Sequence, residues 1–517
     1  MHAVQTTSRL CRRAAQNACR VSVGSKCSPL PARRCKSDSA HPLAGAEGFN
    51  ARSQTPTEPT SGKAAAPGPP TELLTVLEET IKTHGPLPVP RFMTLCLNHP
   101  TLGYYTTRTV FGKEGDFVTS PEISQVFGEL LGIWYVTQWL AQSAPRKVRV
   151  VELGPGRGTL LADVLRTFKS LPAASSPPVT SIHLVEQSEA LQSVQKDALR
   201  RAGFGETPVH WHRNVEEVPQ SDDEFTVAIA HEFFDALPIH IFENTPKGWR
   251  EVLVDIADTK SSVIVSSDKK EPLRLVLSPT PTPASALYSS LGEAAASSHP
   301  STPSIHSAAP LLNFDTTQPV PPRQAPPTAP SASPSSSSGE VFNLTAQRFA
   351  RLPQGSRLEI SPSSYEVARG FAKLVQGEKG GAGLVVDYGD AKAFGRSWRG
   401  FRKHQVVDPL TNPGHTDLTA NVDFSYLAEA MSEFAAPQGP LSQSRFLTSL
   451  GLAPRLASLM RSASSEERGK DIESAAKRLI DETGMGGQYK VMGVVPKQRQ
   501  GTNKPDCFPF DLDGIDK

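Results

Sequence analysis

The chain has 517 residues, enough for about three domains of typical size, but 46 prolines and a hydrophobic fraction of 38% indicate that much of it lies outside a packed core. The formal net charge of +2 is unevenly distributed, because residues 1–37 hold eight Lys or Arg and no Asp or Glu. The rest carries 46 basic against 52 acidic residues, a net charge of −6. Such a body argues against nucleic-acid binding, which needs clustered Lys and Arg to replace the counterions of the phosphates.

The cysteines are also unevenly distributed. Four of the six lie within residues 1–37 at intervals of eight, and Cys96 and Cys507 follow. This spacing matches neither a disulfide framework nor a structural zinc site, so we predict a reducing compartment and no metal. No run approaches the ~18 consecutive apolar residues of a membrane-spanning helix, and we predict a soluble mature protein.

Residues 1–37 have the composition of a mitochondrial targeting segment. They are rich in Arg, Ser and Ala and can form a basic helical face, whereas a secretory signal would need a continuous apolar stretch. We predict a transit peptide and a location in the mitochondrial matrix, with a disordered basic tail as the alternative. Residues 38–70 have the Pro, Ala, Gly and Thr content of a linker.

Ordered patterning begins at Thr71. The spacing of apolar residues predicts a helix that starts there and a second helix at Phe92–Leu97, followed by a loop at residues 101–120. Ser120 is predicted to cap the next helix and Pro121 to occupy its first position. That helix carries an apolar stripe, which we predict to pack on a core, formed by Ile123, Phe127, Leu130, Leu131 and Trp134.

Beyond residue 148, short apolar runs alternate with helical segments. The runs that predict a parallel sheet covered on both faces are Val148–Leu153, Ser181–Glu186, Phe225–Ala230 and Gly383–Asp387. Further strand candidates are Trp249–Ile256, Leu273–Leu277 and Tyr489–Val495. We therefore predict an α/β fold with a doubly wound, Rossmann-like sheet, added N-terminal helices and a helical element within residues 441–496.

The segment 278–338 differs in composition from the sheet region. Its 61 residues are mostly Ser, Pro, Thr and Ala, with few large apolar groups, so they cannot bury enough surface to offset the entropy cost of ordering. We predict a disordered internal insertion in one domain of residues 71–496, with residues 497–517 as a C-terminal tail.

The strongest functional signal is the segment Val150–Leu160, in which an apolar strand meets three glycines and then a helix. The glycines follow G-x-G-x-G, and Thr159 occupies the third position of the dinucleotide pattern G-x-G-x-x-G, which argues against NAD or FAD. Glycine lets a cofactor approach the backbone, and the helix start offers free N–H groups to a carboxylate. The candidate cofactor-binding residues of this turn are Glu152, Gly154, Pro155, Gly156 and Gly158.

A second acid lies at the end of the next strand. Glu186, followed by Gln187, is placed where a carboxylate can accept hydrogen bonds from both hydroxyls of a ribose. Two acids that flank one glycine turn resemble the class I S-adenosylmethionine methyltransferases, in which the first acid lies near the methionine end of the cofactor and the second holds the ribose. The alternative is an ordinary doubly wound turn with acids at strand ends.

A third motif, HEFFDALP, starts where the strand Phe225–Ala230 stops. Ligands of open α/β sheets bind at the carboxyl ends of strands, so His231, Glu232 and Asp235 are predicted to face the same crevice as the glycine turn. Capping of a helix N-terminus is the alternative role for the two acids. Asp387 ends another predicted strand and is either a site residue or a turn former.

Several motifs in order resemble the MidA family. They are residues 115–122 with Gln125, Gly128 and Glu129, residues 152–160, 232–238, 387–389 and 414–424. Members of that family are mitochondrial protein-arginine methyltransferases required for assembly of respiratory complex I. The resemblance implies a class I methyltransferase fold, S-adenosyl-L-methionine as cofactor, and symmetric dimethylation of an arginine in a complex I core subunit.

An arginine substrate needs acids, because a charged guanidinium is a poor nucleophile and carboxylates that bind it localise electron density on the free nitrogen. We nominate Glu232 and Asp235 for this role, and His231 as a proton acceptor. Asp116 and Glu122, from another acidic motif of the family, are second choices. Two rival functions remain: a non-catalytic assembly chaperone with a methyltransferase fold, and a methyltransferase that acts on a small molecule or quinone precursor.

Overall fold

The computed structural model describes residues 71–107, 119–257, 272–296, 343–498 and 507–511. The predicted transit peptide, the linker and residues 297–338 of the predicted insertion lie outside these ranges, as does Asp116. Within the described ranges, no helix is both long and apolar enough to cross a membrane.

The elements are numbered in chain order. The α-helices are α1 Glu72–His84, α2 Val89–Asn98, α3 Tyr104–Thr107, α4 Ser120–Ile123, α5 Gln125–Ala141, α6 Thr159–Ser170, α7 Glu189–Arg201, α8 Pro283–Ala296, α9 Asn343–Arg351, α10 Pro362–Leu374, α11 Phe424–Met431, α12 Gln443–Ser449, α13 Leu452–Arg461, α14 Glu466–Ile480 and α15 Met485–Gln488. The β-strands are β1 Leu87–Pro88, β2 Val148–Leu153, β3 Val179–Val185, β4 Val209–His212, β5 Phe225–His231, β6 His240–Thr245, β7 Gly248–Ile256, β8 Leu273–Leu277, β9 Arg357–Ile360, β10 Gly381–Asp390, β11 Arg399–Arg402, β12 Gln405–Val407, β13 Asp417–Thr419, β14 Val422–Asp423, β15 Ala435–Ser442 and β16 Tyr489–Pro496.

The central sheet has the strand order β15-β16-β10-β5-β2-β3-β4, with β14 beside β10. The strands from β10 to β4 run parallel, whereas β16 and β15 are antiparallel. Every residue of β2 and β5 is buried, because α5 and α6 pack on one face of the sheet while α10 and α11 cover the other. The prediction of a doubly wound parallel sheet is confirmed, and the predicted helical element after residue 441 corresponds to α12–α15.

The strand order reverses beside β2. The chain adds β3 and β4 on one side of β2 and then returns to place β5 and β10 on the other side. Connections that leave β2 and β5 in opposite directions open a crevice at the carboxyl ends of these strands, and ligands of such sheets bind there.

Two smaller sheets lie beside this end of the core. One has the order β1-β7-β6-β9 with β8 on β7, and the predicted N-terminal helices α1 and α2 pack against it. The other has the order β12-β11-β13. It joins the core where the Ala420 N–H donates to the Asp235 carbonyl at 2.9 Å, which brings the third sheet to the crevice.

The region around Ser120 departs from the prediction. Ser120 is the first residue of α4 and Thr119 occupies the capping position, so the predicted cap is wrong by one residue. α4 ends at Ile123, and the Ser124 hydroxyl accepts the Val126 N–H at 3.3 Å to cap α5 separately. A serine side chain that bonds its own local backbone competes with helix continuation, which explains why one predicted helix is two.

Part of the predicted disordered insertion is ordered. α8 occupies residues 283–296, and its start is capped where the Thr282 hydroxyl accepts the N–H of the buried Ser285 at 3.1 Å. The Tyr288 ring stacks on Phe349 of α9, with ring centroids 5.5 Å apart. The prediction of disorder is wrong for this stretch, because its few apolar side chains complete a core that other segments supply.

The predicted C-terminal tail also contributes to the core. Phe510 is 8% exposed, and its ring lies 5.7 Å from that of Phe446 and 6.2 Å from that of Trp134. Gly493 leaves room for it, since a Cβ at that position would lie 2.5 Å from the Phe510 ring. Residues 507–511 therefore belong to the packed domain rather than to a tail.

Candidate active site

The glycine turn lies between β2 and α6 at the point where the strand order reverses. Gly154, Gly156 and Gly158 have φ values of 63°, 52° and 77°, a left-handed conformation that side chains with a Cβ rarely adopt. Gly154 is also crowded, because a Cβ there would lie 2.8 Å from Cδ2 of Phe233. The glycines are therefore required by the backbone conformation, and at Gly154 also by the contact with Phe233.

Glu152 lies in β2 just before this turn and is 2% exposed. Its Oε2 atom has no hydrogen-bond partner among the described residues. Burial raises the pKa of Glu152 to about 8. A buried carboxyl oxygen without a partner is costly, and a bound cationic group would remove that cost.

Glu186 lies just beyond β3 on the other side of the turn. Its Oε1 accepts the Ser188 N–H at 2.8 Å, and its Oε2 accepts Nε2 of Gln195 at 3.2 Å. The same Gln195 nitrogen donates to the Gly156 carbonyl at 2.8 Å, so one amide ties the acid to the glycine turn. The Gln187 side chain is exposed and donates to the Arg213 carbonyl, so it contributes no side-chain contact to the turn.

Glu232 occupies an unusual backbone position directly after β5. Its φ is 49°, in the left-handed region, and its N–H donates to the Val386 carbonyl of β10 at 2.9 Å. Its carboxylate accepts the Tyr489 hydroxyl at 2.6 Å and the backbone N–H of Ser120. Burial raises the pKa of Glu232 to about 8, despite these hydrogen bonds.

Asp387 organises the turn that carries Glu232. Its Oδ2 accepts three backbone N–H groups, those of Phe233, Phe234 and Asp235, at 3.1, 2.9 and 3.3 Å. It lies within β10 rather than at the end of a strand, and is completely buried. Of its two predicted roles, that of turn former accounts for these hydrogen bonds.

Asp235 is 6% exposed, and its Oδ1 has no hydrogen-bond partner within the described part of the chain. Burial raises its pKa to about 6, although Arg399 of β11 opposes this rise. The Arg399 guanidinium is held by Asn421 Oδ1 at 2.7 Å and by the Ser397 carbonyl at 2.8 Å. Arg399 thus offsets part of the negative charge of the site.

His231 is the last residue of β5 and is 8% exposed. Its ring lies 5.2 Å from that of Phe127, and its Nε2 lies 3.6 Å from Oε1 of Glu232. That nitrogen has no hydrogen-bond partner among the described residues. Burial lowers the pKa of His231 to about 3, so the ring is neutral at physiological pH.

Glu122 reaches the same region from α4, and its charge acts on Glu232. α4 is held by the Ser120 hydroxyl, which donates to Oε1 of Gln443 in α12 at 3.3 Å. The structure therefore brings the second-choice acid Glu122 near the first-choice acids, whereas Asp116 lies outside the described residues.

Three residues of the site could not be inferred from the sequence: Tyr388, Arg399 and Tyr489. Tyr388 lies beside Asp387 in the motif at residues 387–389 but carries no signal of its own, whereas Arg399 and Tyr489 lie on strands outside every motif. The site as a whole is a buried cluster of carboxyl groups, with partial compensation by Arg399, beside a glycine turn. Such an arrangement suits a cationic ligand, because its charge would replace the missing compensation.

A family model described as "Putative S-adenosyl-L-methionine-dependent methyltransferase" matches residues 130–441. The glycine turn, Glu186 and the HEFFDALP motif lie inside the matched range, whereas Glu122 and Tyr489 lie outside it.

Curated relatives are similar over most of their length. The human "Protein arginine methyltransferase NDUFAF7, mitochondrial" is 34% identical over 456 residues, which cover 85% of this chain and 87% of that protein. The Danio rerio protein of the same name is 34% identical, with coverage of 84% and 91%. The Drosophila melanogaster homolog is 32% identical, with coverage of 81% and 84%.

Two crystal structures from Burkholderia thailandensis share the fold. One, a "likely methyl transferase" bound to S-adenosyl-homocysteine, is 22% identical with a TM-score of 0.58. The other is 23% identical with a TM-score of 0.57. Each alignment covers 84% of this chain and 94% of the other, so the predicted methyltransferase-type fold is confirmed.

Proposed function

Because this chain belongs to the MidA family of S-adenosyl-L-methionine-dependent methyltransferases, we propose that it methylates an arginine of a protein substrate in the mitochondrion. S-Adenosyl-L-methionine is the cofactor of the family. The relatives are named mitochondrial protein arginine methyltransferases, which supports both the substrate class and the location. The observation that carries the proposal is a pair of carboxyl groups on a turn packed against the cofactor turn: Asp235 is buried, and the Glu232 side chain is 14% exposed.

The residues of the glycine turn fit this cofactor. The unpartnered Oε2 of Glu152 suits the ammonium of the methionine part, and Gly154–Gly158 leave the backbone accessible. Glu186 keeps acceptor capacity for ribose hydroxyls, because each carboxylate oxygen can accept more than one hydrogen bond. When bound, S-adenosyl-L-methionine supplies an electrophilic methyl group.

The substrate guanidinium is held by Glu232 and Asp235 in this proposal. Oδ1 of Asp235 has no partner of its own and is free to accept an N–H of the substrate. Charge-assisted hydrogen bonds to a planar guanidinium fix its orientation, and alignment of the attacking nitrogen is the main task in a displacement at carbon. A guanidinium would stabilise the ionised form of these carboxyl groups through charge-assisted hydrogen bonds, whereas a neutral quinone precursor offers no charge to pair with them, which favours arginine over that rival.

One N–H proton must leave the nitrogen that gains the methyl group. The sequence predicts His231 as the proton acceptor, but its lowered pKa of about 3 makes it a weak base. Glu232, with a pKa raised to about 8, is the stronger base of the two and lies in the same cluster. We therefore assign proton acceptance to Glu232, with the neutral His231 ring beside it.

Finer features of the proposed activity follow from the resemblance to the family. They are symmetric dimethylation of the arginine, a complex I core subunit as its substrate, and a location in the matrix, to which residues 1–37 would direct the protein. The resemblance implies all three, and the composition of residues 1–37, which is that of a transit peptide, supports the location.

The test is label transfer from methyl-labelled S-adenosyl-L-methionine in mitochondrial extract from cells that lack the protein. Addition of the purified enzyme is expected to label arginine in protein, with symmetric dimethylarginine in a complex I subunit by mass spectrometry. Label recovered in the organic phase instead would favour the small-molecule rival. Absence of cofactor binding by calorimetry would favour the chaperone.

Glu232→Gln tests the residue assignment. We expect at least a 100-fold lower methylation rate with unchanged cofactor affinity, because the variant keeps the shape but loses the charge and the base. The matched control is Glu243→Gln, which removes an acid that pairs with Arg357 in the second sheet and leaves the site intact. Equal rates in the two variants would contradict the role of Glu232.

A further inference from the structure

Tyr388 and Tyr489 form a pair behind Glu232. They face each other in the antiparallel register of β10 and β16, and their ring centroids are 4.0 Å apart. Tyr489 is 1% exposed, and its hydroxyl donates to Oε1 of Glu232 at 2.6 Å. The strand β16 thus supplies a polar contact to an acid that lies just beyond β5, two strands away in the sheet.

The Tyr489 hydroxyl donates to Glu232 when the acid is ionised, because a phenol carries one proton and a carboxylate carries none. Tyr388 contributes through its ring, whose centroid lies 4.0 Å from that of Tyr489 and which therefore restricts the position of the Tyr489 hydroxyl.

Glu232 depends on such a donor because its surroundings oppose its charge. Asp235 and Glu122 repel it, and Asp387 lies in the same cluster. The neutral His231 ring offers no positive charge, and Arg399 acts principally on Asp235. The donors that reach its carboxylate are the Tyr489 hydroxyl and the backbone N–H of Ser120.

The two donors belong to different parts of the fold. The Ser120 N–H belongs to α4, a helix of four residues that the Ser120 hydroxyl joins to Gln443 of α12. Tyr489 belongs to the central sheet, where β16 is paired on both sides. The hydrogen bond from the Tyr489 hydroxyl therefore anchors the Glu232 side chain to the central sheet.

We propose that Tyr489, supported by Tyr388, is a positioning residue that holds Glu232 in the orientation and ionised state in which it receives a guanidinium. The inference rests on the proposed function, in which Glu232 binds the substrate arginine. It adds a residue at the far C-terminal end of the domain, 257 positions from Glu232, to the machinery of the site.

The decisive variant is Tyr489→Phe, which keeps the ring packing and removes only the hydroxyl. Loss of a hydrogen bond to a charged group lowers kcat/KM for the protein substrate about tenfold or more at pH 7. Loss of the hydroxyl also disfavours the ionised form of Glu232. The apparent pKa of the rise in kcat/KM, which we expect near 8 in the parent enzyme, should therefore increase by about one unit or more. At pH 9.5 the two enzymes are expected to converge. Tyr388→Phe keeps the ring that packs on Tyr489 and is expected to change the profile little.

The matched control is Tyr426→Phe, which removes a buried hydroxyl from α11 outside the site. It should leave the pH profile unchanged, and cofactor affinity should stay constant in all three variants. Asp235 and Asp387 interact with Glu232, so the measured shift belongs to the cluster of acids as a whole, and its cause is the one hydroxyl by which Tyr489→Phe differs from the parent.

Two results would overturn the proposal: a parent-like Tyr489→Phe, or a loss of kcat/KM by the same factor at every pH, which is the signature of a merely structural role. Failure of the proposed function itself is distinguishable. In that case the parent enzyme labels no protein arginine, whereas failure of the inference leaves the parent active and Tyr489→Phe without a shifted profile.

Discussion

Gly154 and Gly158 test how the glycine turn supports the site, because they share a backbone requirement and differ in their neighbours. Both have left-handed φ values, 63° and 77°, where a Cβ costs about 1–2 kcal/mol. A Cβ at Gly158 would lie 3.5 Å from that of Ala198, an ordinary contact, whereas a Cβ at Gly154 would lie 2.8 Å from Cδ2 of Phe233.

The free energies of unfolding should differ accordingly. Gly158→Ala costs about 1–2 kcal/mol from the backbone alone. Gly154→Ala adds a carbon about 1 Å inside the usual ~3.5–4.0 Å contact distance, and relief of such overpacking costs a further ~1–3 kcal/mol. Since Phe233 directly follows Glu232, its displacement should also disturb the proposed substrate-binding acid. Gly154→Ala is therefore expected to lose both stability and methyl transfer, and Gly158→Ala chiefly stability and cofactor affinity.

The assay is a double-mutant cycle in thermal unfolding, with calorimetric cofactor affinity and methylation rate measured on the same proteins. Phe233→Ala removes the overlapping ring, so its cost should be smaller in the Gly154→Ala background by about 1–3 kcal/mol. The same substitution combined with Gly158→Ala should show additive costs. Equal losses in the two glycine variants, or additivity in both cycles, would refute the reasoning.

Two other predictions concern the cofactor and the C-terminal segment. Because burial raises the pKa of Glu152 to about 8, its carboxyl is mostly protonated at pH 7 without cofactor and must lose that proton to hold an ammonium. Calorimetric affinity for S-adenosyl-L-methionine should therefore rise by up to tenfold per unit between about pH 6 and 7.5, where the amino group of the ligand is still mostly protonated. Glu152→Gln should remove this dependence, and a flat profile for the parent enzyme would contradict the assignment. Phe510→Ala should lower the free energy of unfolding by about 3–5 kcal/mol, which is measured as a lower melting temperature. The control Phe508→Ala changes a residue that is 37% exposed and should alter the free energy of unfolding little. Similar losses in the two variants would contradict the packing of residues 507–511 on the core.

Local signals predicted the architecture well because the residues concerned determine their own conformation. The strand β2 matches the predicted run Val148–Leu153 at both ends, and the glycine turn after it follows from residues that adopt left-handed φ values without the strain of a Cβ. Glu186 and the HEFFDALP motif were found for the same reason, since strand ends in a parallel sheet meet at one edge.

Local signals failed where a side chain takes its role from a distant partner. α8 was predicted to be disordered from its composition, but Tyr288 packs on Phe349 of another helix, a contact that composition does not reveal. Phe510 was assigned to a tail, yet Gly493 leaves the space that it fills. In both cases the stabilising surface belongs to a different part of the chain, so the decision lies in packing rather than propensity.

The same division holds for the site. Spacing along the chain was enough to predict that Glu152, Glu186 and Glu232 lie at strand ends around a cofactor turn, because position along a strand determines position within the sheet. The role of each acid depends on its neighbours in space: Asp387 accepts three backbone N–H groups, Asp235 interacts with Arg399, and Glu232 accepts the hydroxyl hydrogen of Tyr489. A carboxyl group's charge and orientation depend on the groups that surround it in space, and here those groups come from strands more than 150 residues away.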